Sequence, residues 1–171
     1  MKKTIFSVLM LFLLSFVANA QIKTTRQCIP IDMDIKVKRC VVSGSQGYID
    51  LVFTNHTGKL ISDVIVMRQE PCADVLENDQ TIMYDDEGGV YKPTYKGGIS
   101  WISFGGSDAL NNRTTLPEDV PVKMRIEFQG ISEFATEISM LNIALRGISS
   151  YNYGIGSVTF RNIPITLVET E

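Results

Sequence analysis

The sequence has a single histidine, His56, and this scarcity limits the acid–base chemistry open to its side chains. Ser–His and Cys–His catalysis would both depend on this one imidazole, and the adjoining residues supply no carboxylate to orient it. His56 stands in the polar segment 55–59, where a solvated loop residue is the ordinary interpretation. We therefore expect no catalytic role for His56.

Catalytic motifs are also missing, since the sequence has neither a G-x-S-x-G nor an H-E-x-x-H pattern. The densest acidic run, Asp85-Asp86-Glu87, occupies the tip of a predicted hairpin. Glycosidases instead need two carboxyl groups that face each other across a cleft. We predict that the protein is not an enzyme and has no cofactor. The alternative is a hydrolase or an enzyme inhibitor without a recognisable motif.

Cysteine is scarce as well, with only Cys28, Cys40 and Cys72 in the chain. Their spacings of 12 and 32 residues fit no zinc-site signature, and one histidine cannot complete such a site. We expect no structural metal.

No long apolar run follows residue 20, so the sequence predicts no transmembrane segment. Residues 1–20 show the three regions of a secretory signal peptide: Lys2-Lys3, an apolar run over 5–17, and Ala18-Asn19-Ala20. Gln21 follows in place of the cysteine that a bacterial lipoprotein would carry. We therefore predict an exported protein, periplasmic or extracellular.

Clusters of lysine and arginine are absent. The loss of Lys2 and Lys3 with the signal leaves 14 basic and 19 acidic residues, a net charge of −5. This mildly acidic balance argues against nucleic acid as a partner.

What the chain does contain is alternating apolar and polar residues between turn signals at intervals of roughly ten residues. Three successive antiparallel strands are predicted over 31–42, 48–54 and 60–68, with Ile35, Val37 and Val41 on one face of the first. Further strands are predicted over 81–84, 90–95, 99–104, 120–128, 133–145 and 158–167, although 133–145 also matches helical spacing. The fold class is therefore all-β, an antiparallel β-sandwich of seven to nine strands.

Four blocks of sequence, 48–59, 84–91, 116–123 and 158–165, resemble exported bacterial proteins with telokin-like, immunoglobulin-like domains, represented by the DUF4352 family. The blocks include the turn Thr54-Asn55-His56-Thr57-Gly58-Lys59. The resemblance implies an immunoglobulin-like sandwich over 34–168, after an N-terminal segment at 21–33, and it implies export. It transfers no catalytic residue.

Aromatic residues are the candidate ligand-binding groups, because an exposed ring can stack on a sugar. The candidates are Tyr91, Tyr95, Trp101, Tyr151 and Tyr153. Tyr91, Tyr95 and Trp101 equally suit core packing, since aromatics are enriched in strands. Tyr151 and Tyr153 stand in a predicted loop, where binding residues often lie. The acidic run at 85–87 is either a solvated turn or a weak cation site.

Strand direction favours a disulfide between Cys40 and Cys72, with Cys28 free. The first and third strands would end at the same pole, whereas a nine-residue strand of roughly 30 Å would separate Cys28 from them. A Cys28–Cys72 bridge, or no bridge, stays open.

These observations favour a non-catalytic binding or structural domain at the cell envelope or outside the cell, with a protein or a glycan as its partner.

We expect the mature chain to begin at Gln21, because signal peptidase cleaves after a small-x-small sequence such as Ala18-Asn19-Ala20. N-terminal sequencing of the exported protein checks this prediction. Retention of Met1 in that material would contradict it.

Overall fold

The alternating residues form β-strands throughout the described parts of the chain. The computed structural model describes residues 21–67, 80–93, 98–102, 113–148 and 155–168. Its strands are β1 (Lys23–Gln27), β2 (Met33–Ser43), β3 (Gln46–Asn55), β4 (Ile61–Val66), β5 (Ile82–Tyr84), β6 (Val90–Tyr91), β7 (Ile99–Trp101), β8 (Arg113–Leu116), β9 (Val122–Gln129), β10 (Glu137–Ile138), β11 (Met140–Arg146), β12 (Ile155–Arg161), β13 (Ile163–Pro164) and β14 (Thr166–Leu167). No helix occurs among these residues, so the predicted all-β class is confirmed.

Two main sheets enclose the core. The first sheet has the order β1-β12-β11-β4-β8, with β5 paired to β11 and β6 paired to β5. The second sheet has the order β14-β2-β3-β9-β7, and β10 and β13 form a separate short pair. Most pairs are antiparallel, but β14 runs parallel to β2. The architecture is a β-sandwich.

The core is formed by the apolar residues that alternate with polar ones along the strands. Along β3, Ile49, Leu51 and Phe53 are buried while the residues between them face outward. β9 repeats the pattern, and the first sheet contributes buried residues such as Leu141 and Phe160. Each fully buried aliphatic or aromatic side chain contributes roughly 1.5–3 kcal/mol to folding.

A β-bulge in β2 reverses the predicted face of its second half. The register with β3 shifts between Val37 and Arg39, which places one extra residue, Lys38, in β2. Beyond the bulge Cys40 is buried, whereas Val41 is only partly buried. The prediction that Val41 shares an inward face with Ile35 is therefore wrong.

The second and third predicted strands do not pair with each other. β3 belongs to the second sheet, whereas β4 belongs to the first sheet and pairs with β8 and β11. The segment between them therefore carries the chain across the sandwich. The prediction of three successive antiparallel strands holds only for β2 and β3.

Two strands lie where the sequence predicts none. β1 falls in the segment 21–33 and pairs with β12, and β8 falls in the polar interval before Pro117. All five residues of β1 are exposed, so it lacks the alternation that marks a half-buried strand. The ambiguous segment 133–145 contains no helix and divides into a turn, β10 and most of β11.

We expect the Cys40 thiol to resist alkylation in the folded protein. It is buried on the inner side of β2, and burial raises the pKa of this thiol to about 12. In native protein at pH 8, iodoacetamide should label the exposed Cys28 at least about tenfold faster than Cys40. Peptide mapping by mass spectrometry gives both rates. Equal labelling without denaturant would contradict the inward placement of Cys40.

Candidate functional site

Three connections gather at one end of the sandwich. They are residues 28–32 between β1 and β2, 56–60 between β3 and β4, and 117–121 between β8 and β9. β2 and β9 begin at this end and β3 ends there, as their registers require. We call this surface the loop end.

Main-chain hydrogen bonds tie the three loops together. The amide of His56 donates to the carbonyl of Asp32 at 2.8 Å, and the amide of Asp119 donates to the carbonyl of Asn55 at 2.8 Å. Arg26 of β1 donates to the carbonyls of Ile31 and Met33. The loops are therefore held in one arrangement.

The side chain of Asn55 is the centre of these ties. It is fully buried, and its amide nitrogen donates to the carbonyls of Lys59 at 2.8 Å and Leu116 at 2.9 Å. Its amide oxygen accepts from the backbone N–H of Thr57 at 3.1 Å and from the Thr57 hydroxyl at 2.7 Å. Since Leu116 ends β8, this one amide joins the second sheet to the first.

His56 has an orienting carboxylate after all. Its Nδ1 lies 2.6 Å from Oδ1 of Asp119, a residue 63 positions away, which the sequence could not indicate. Both side chains are exposed. Within the described residues no Ser, Thr or Cys side chain hydrogen-bonds to His56, so none of them completes a catalytic triad with this pair. Its observable effect is to tie the second loop to the third.

Apolar side chains project from all three loops. Ile31 is 88% exposed, Leu60 is 63% exposed and Val120 is 41% exposed. An open cleft of about 490 Å³ lies between the first two loops and is lined partly by Pro30, Leu60 and Ile148.

Gly147 forms the wall of the cleft beside β4. Its φ of +86° is a conformation that other residues rarely adopt, and a Cβ there would lie 2.5 Å from the carbonyl oxygen of Asp63. Only glycine fits this close approach of β11 to β4.

The two aromatic candidates in the described part of the chain offer no exposed ring. Tyr91 and Trp101 are buried, and Trp101 packs edge-on against Phe53 with ring centroids 5.1 Å apart. For these two residues the structure favours core packing over a sugar platform. Tyr95, Tyr151 and Tyr153 lie outside the described residues.

The acidic turn at 85–89 closes on itself. Asp85 is buried, and it accepts hydrogen bonds from the backbone N–H groups of Glu87 and Gly89 and from the Tyr91 hydroxyl at 2.5 Å. Burial and the Asp85 carboxylate raise the pKa of Tyr91. Asp86 accepts hydrogen bonds from Thr136, which docks the turn on the neighbouring segment. Among the described residues no group of three potential ligands could hold a metal ion.

Cys28 and Cys40 are both free thiols. Cys40 points into the core because of the bulge in β2, and the predicted Cys40–Cys72 bridge is not formed in this structure. Cys72 itself lies outside the described residues.

Comparisons with known proteins add no assignment. No protein-family model matches the chain, and searches of curated proteins and of solved structures gave no significant match. In the described part of the chain, no helix has the length and hydrophobicity needed to cross a bilayer.

We expect Asn55→Ala to lower the free energy of unfolding by about 3 kcal/mol, because it leaves the buried carbonyl of Leu116 and the partly buried carbonyl of Lys59 and N–H of Thr57 without this partner. Thr57→Val removes only one of these hydrogen bonds and should cost about 1 kcal/mol. Urea denaturation followed by tryptophan fluorescence measures both values. Equal stability of Asn55→Ala and the wild type would show that this amide does not hold the loop end.

Proposed function

We propose that the protein is an exported, non-catalytic binding domain with an immunoglobulin-like sandwich, and that its loop end contacts a protein partner at the cell envelope or outside the cell. The observation that carries the proposal is the exposure of Ile31, Leu60 and Val120 on three cross-tied loops. The predicted signal peptide over residues 1–20 and the resemblance to exported telokin-like domains support the same setting.

The chemistry of these side chains favours a protein partner over a glycan at this surface. Exposed aliphatic groups gain most from contact with apolar groups of another protein, and such patches mark interaction sites. Sugar recognition usually employs an aromatic ring, and the described aromatic candidates, Tyr91 and Trp101, are buried and offer no such ring at the loop end.

The rigidity of the three loops also favours a binding role for the loop end. Binding orders loops at an entropic cost, which is reduced where the loops are already fixed. The Asn55 amide, the His56–Asp119 pair and the main-chain bonds fix the loop end before any partner arrives.

We expect a photo-crosslinking residue in place of Leu60 to capture one defined protein in the cells that export this chain. The matched control replaces Leu167, which is similarly exposed but lies beside Val42 near the opposite end of β2. Capture at position 60 and not at 167 supports the proposal, whereas equal capture at both positions contradicts it.

The captured protein, once purified, allows a quantitative test. The double variant Ile31→Ser/Leu60→Ser should weaken its binding by about tenfold or more in calorimetry, because a few apolar contacts carry most of the affinity of an interface. Leu167→Ser is the control and should bind as the wild type does. Unchanged affinity of the double variant would place the contact elsewhere.

A further inference from the structure

A charged row crosses the outer face of the second sheet. Arg39 on β2, Asp50 on β3 and Arg125 on β9 are direct cross-strand neighbours. Arg125 binds Asp50 through two nitrogens, Nε at 2.7 Å from Oδ1 and Nη2 at 3.0 Å from Oδ2. Arg39 reaches Oδ2 of the same carboxylate through Nε at 2.8 Å.

Two guanidinium groups therefore share one carboxylate, and the row has a net positive charge within an acidic protein. Burial alone would raise the pKa of Asp50, but the hydrogen bonds from Arg125 and Arg39 outweigh it and lower that pKa, so the carboxylate stays ionised. The side chain of Arg39 is 55% exposed, and its two terminal nitrogens make no hydrogen bond to any described residue. They form a free fork of donors that suits a second carboxylate.

Tyr48 occupies the next row of the same face. The guanidinium of Arg125 lies over its ring at 3.9 Å from the centroid, and that of Arg39 lies at 5.3 Å. These cation–π contacts hold the ring in one orientation. The sheet therefore presents a pre-positioned aromatic ring beside an unused donor fork.

An open cleft of about 530 Å³ adjoins this ring. Besides Tyr48 its lining includes Ser43, Ser45, Gln46, Glu127 and Gln129. None of these five polar side chains hydrogen-bonds to another described residue, so their hydroxyl, amide and carboxylate groups face the cleft or solvent with unused capacity. The cleft therefore combines one aromatic ring with several hydrogen-bonding groups, which suits a ligand that has both an apolar face and polar substituents.

We propose that this cleft binds a saccharide that carries a carboxylate, such as an oligomer of a uronic acid. A pyranose ring has an apolar C–H face, which suits Tyr48, and a rim of hydroxyl groups, which suits the amides of Gln46 and Gln129 and the carboxylate of Glu127. The sugar carboxylate pairs with the free nitrogens of Arg39.

This site goes beyond the protein partner proposed for the loop end. Tyr48 and Asn55 lie toward opposite ends of β3, about 23 Å apart for seven residues of extended chain. Glu127, which lines the cleft, also distinguishes it from a general polyanion surface, because its carboxylate repels a ligand that offers only charge.

The test measures calorimetric binding of the mature protein to oligomers of several uronic acids and to their methyl esters, which lack only the charge. The acids should bind at least about tenfold more tightly than the esters. Arg39→Gln should remove this preference, so that the acids and the esters bind with similar affinity. The control Arg161→Gln removes an exposed charge from the first sheet and should behave as the wild type.

Tyr48→Ala should abolish binding of both acid and ester, whereas Tyr48→Phe should retain it. Because the ring is half-buried, Tyr48→Leu is a second variant that keeps apolar volume without an aromatic face, and it should also lose binding. Thermal unfolding of each variant confirms that it is folded. Leu60→Ser should bind the acids normally, which separates this site from the loop end.

Three outcomes would overturn the proposal. The first is that wild-type protein binds none of the uronic acid oligomers. The second is that folded Tyr48→Leu binds them as the wild type does. The third is that dextran sulfate, a polyanion without a carboxylate, competes equally well, which would reduce the site to a basic surface.

Discussion

The buried amide of Asn55 is the interaction on which the arrangement of the loop end depends. Two sheets packed through apolar side chains can slide or rotate, since hydrophobic contact has no direction. The four hydrogen bonds of Asn55 are directional, and they link the end of β3 to the end of β8 in the facing sheet. The loops that carry Ile31, Leu60 and Val120 are therefore fixed relative to both sheets.

The sequence predicted the fold class because alternation is a local signal. β3 and β9 lie close to their predicted bounds, since each has one buried face. The bulge in β2 could not be predicted from the sequence, because Lys38 fits the polar, outward-facing positions of an unbroken strand equally well. β1 was missed for a related reason, since a fully exposed strand shows no alternation and exists only through its pairing with β12.

The candidate surfaces were harder to predict because they depend on residues far apart in the chain. His56 meets Asp119 only after β8 and β9 are in place, and Arg125 meets Asp50 across 75 positions. Aromatic content alone pointed to Tyr91 and Trp101, which the sheets turn inward. Tyr48, by contrast, lies on the outer face of β3. The alternation of apolar and polar residues along β3 already predicts this outward orientation from the sequence.

The exposed strand β1 has a protective consequence for the rest of its sheet. It covers the outer edge of β12, a strand of seven residues with Val158 and Phe160 buried on its inner face. A chain cut after Gln27 would leave that edge bare, with backbone donors and acceptors ready to pair with another copy. Lys23 and Arg26 place like charges on the present edge, and such charges discourage this kind of aggregation.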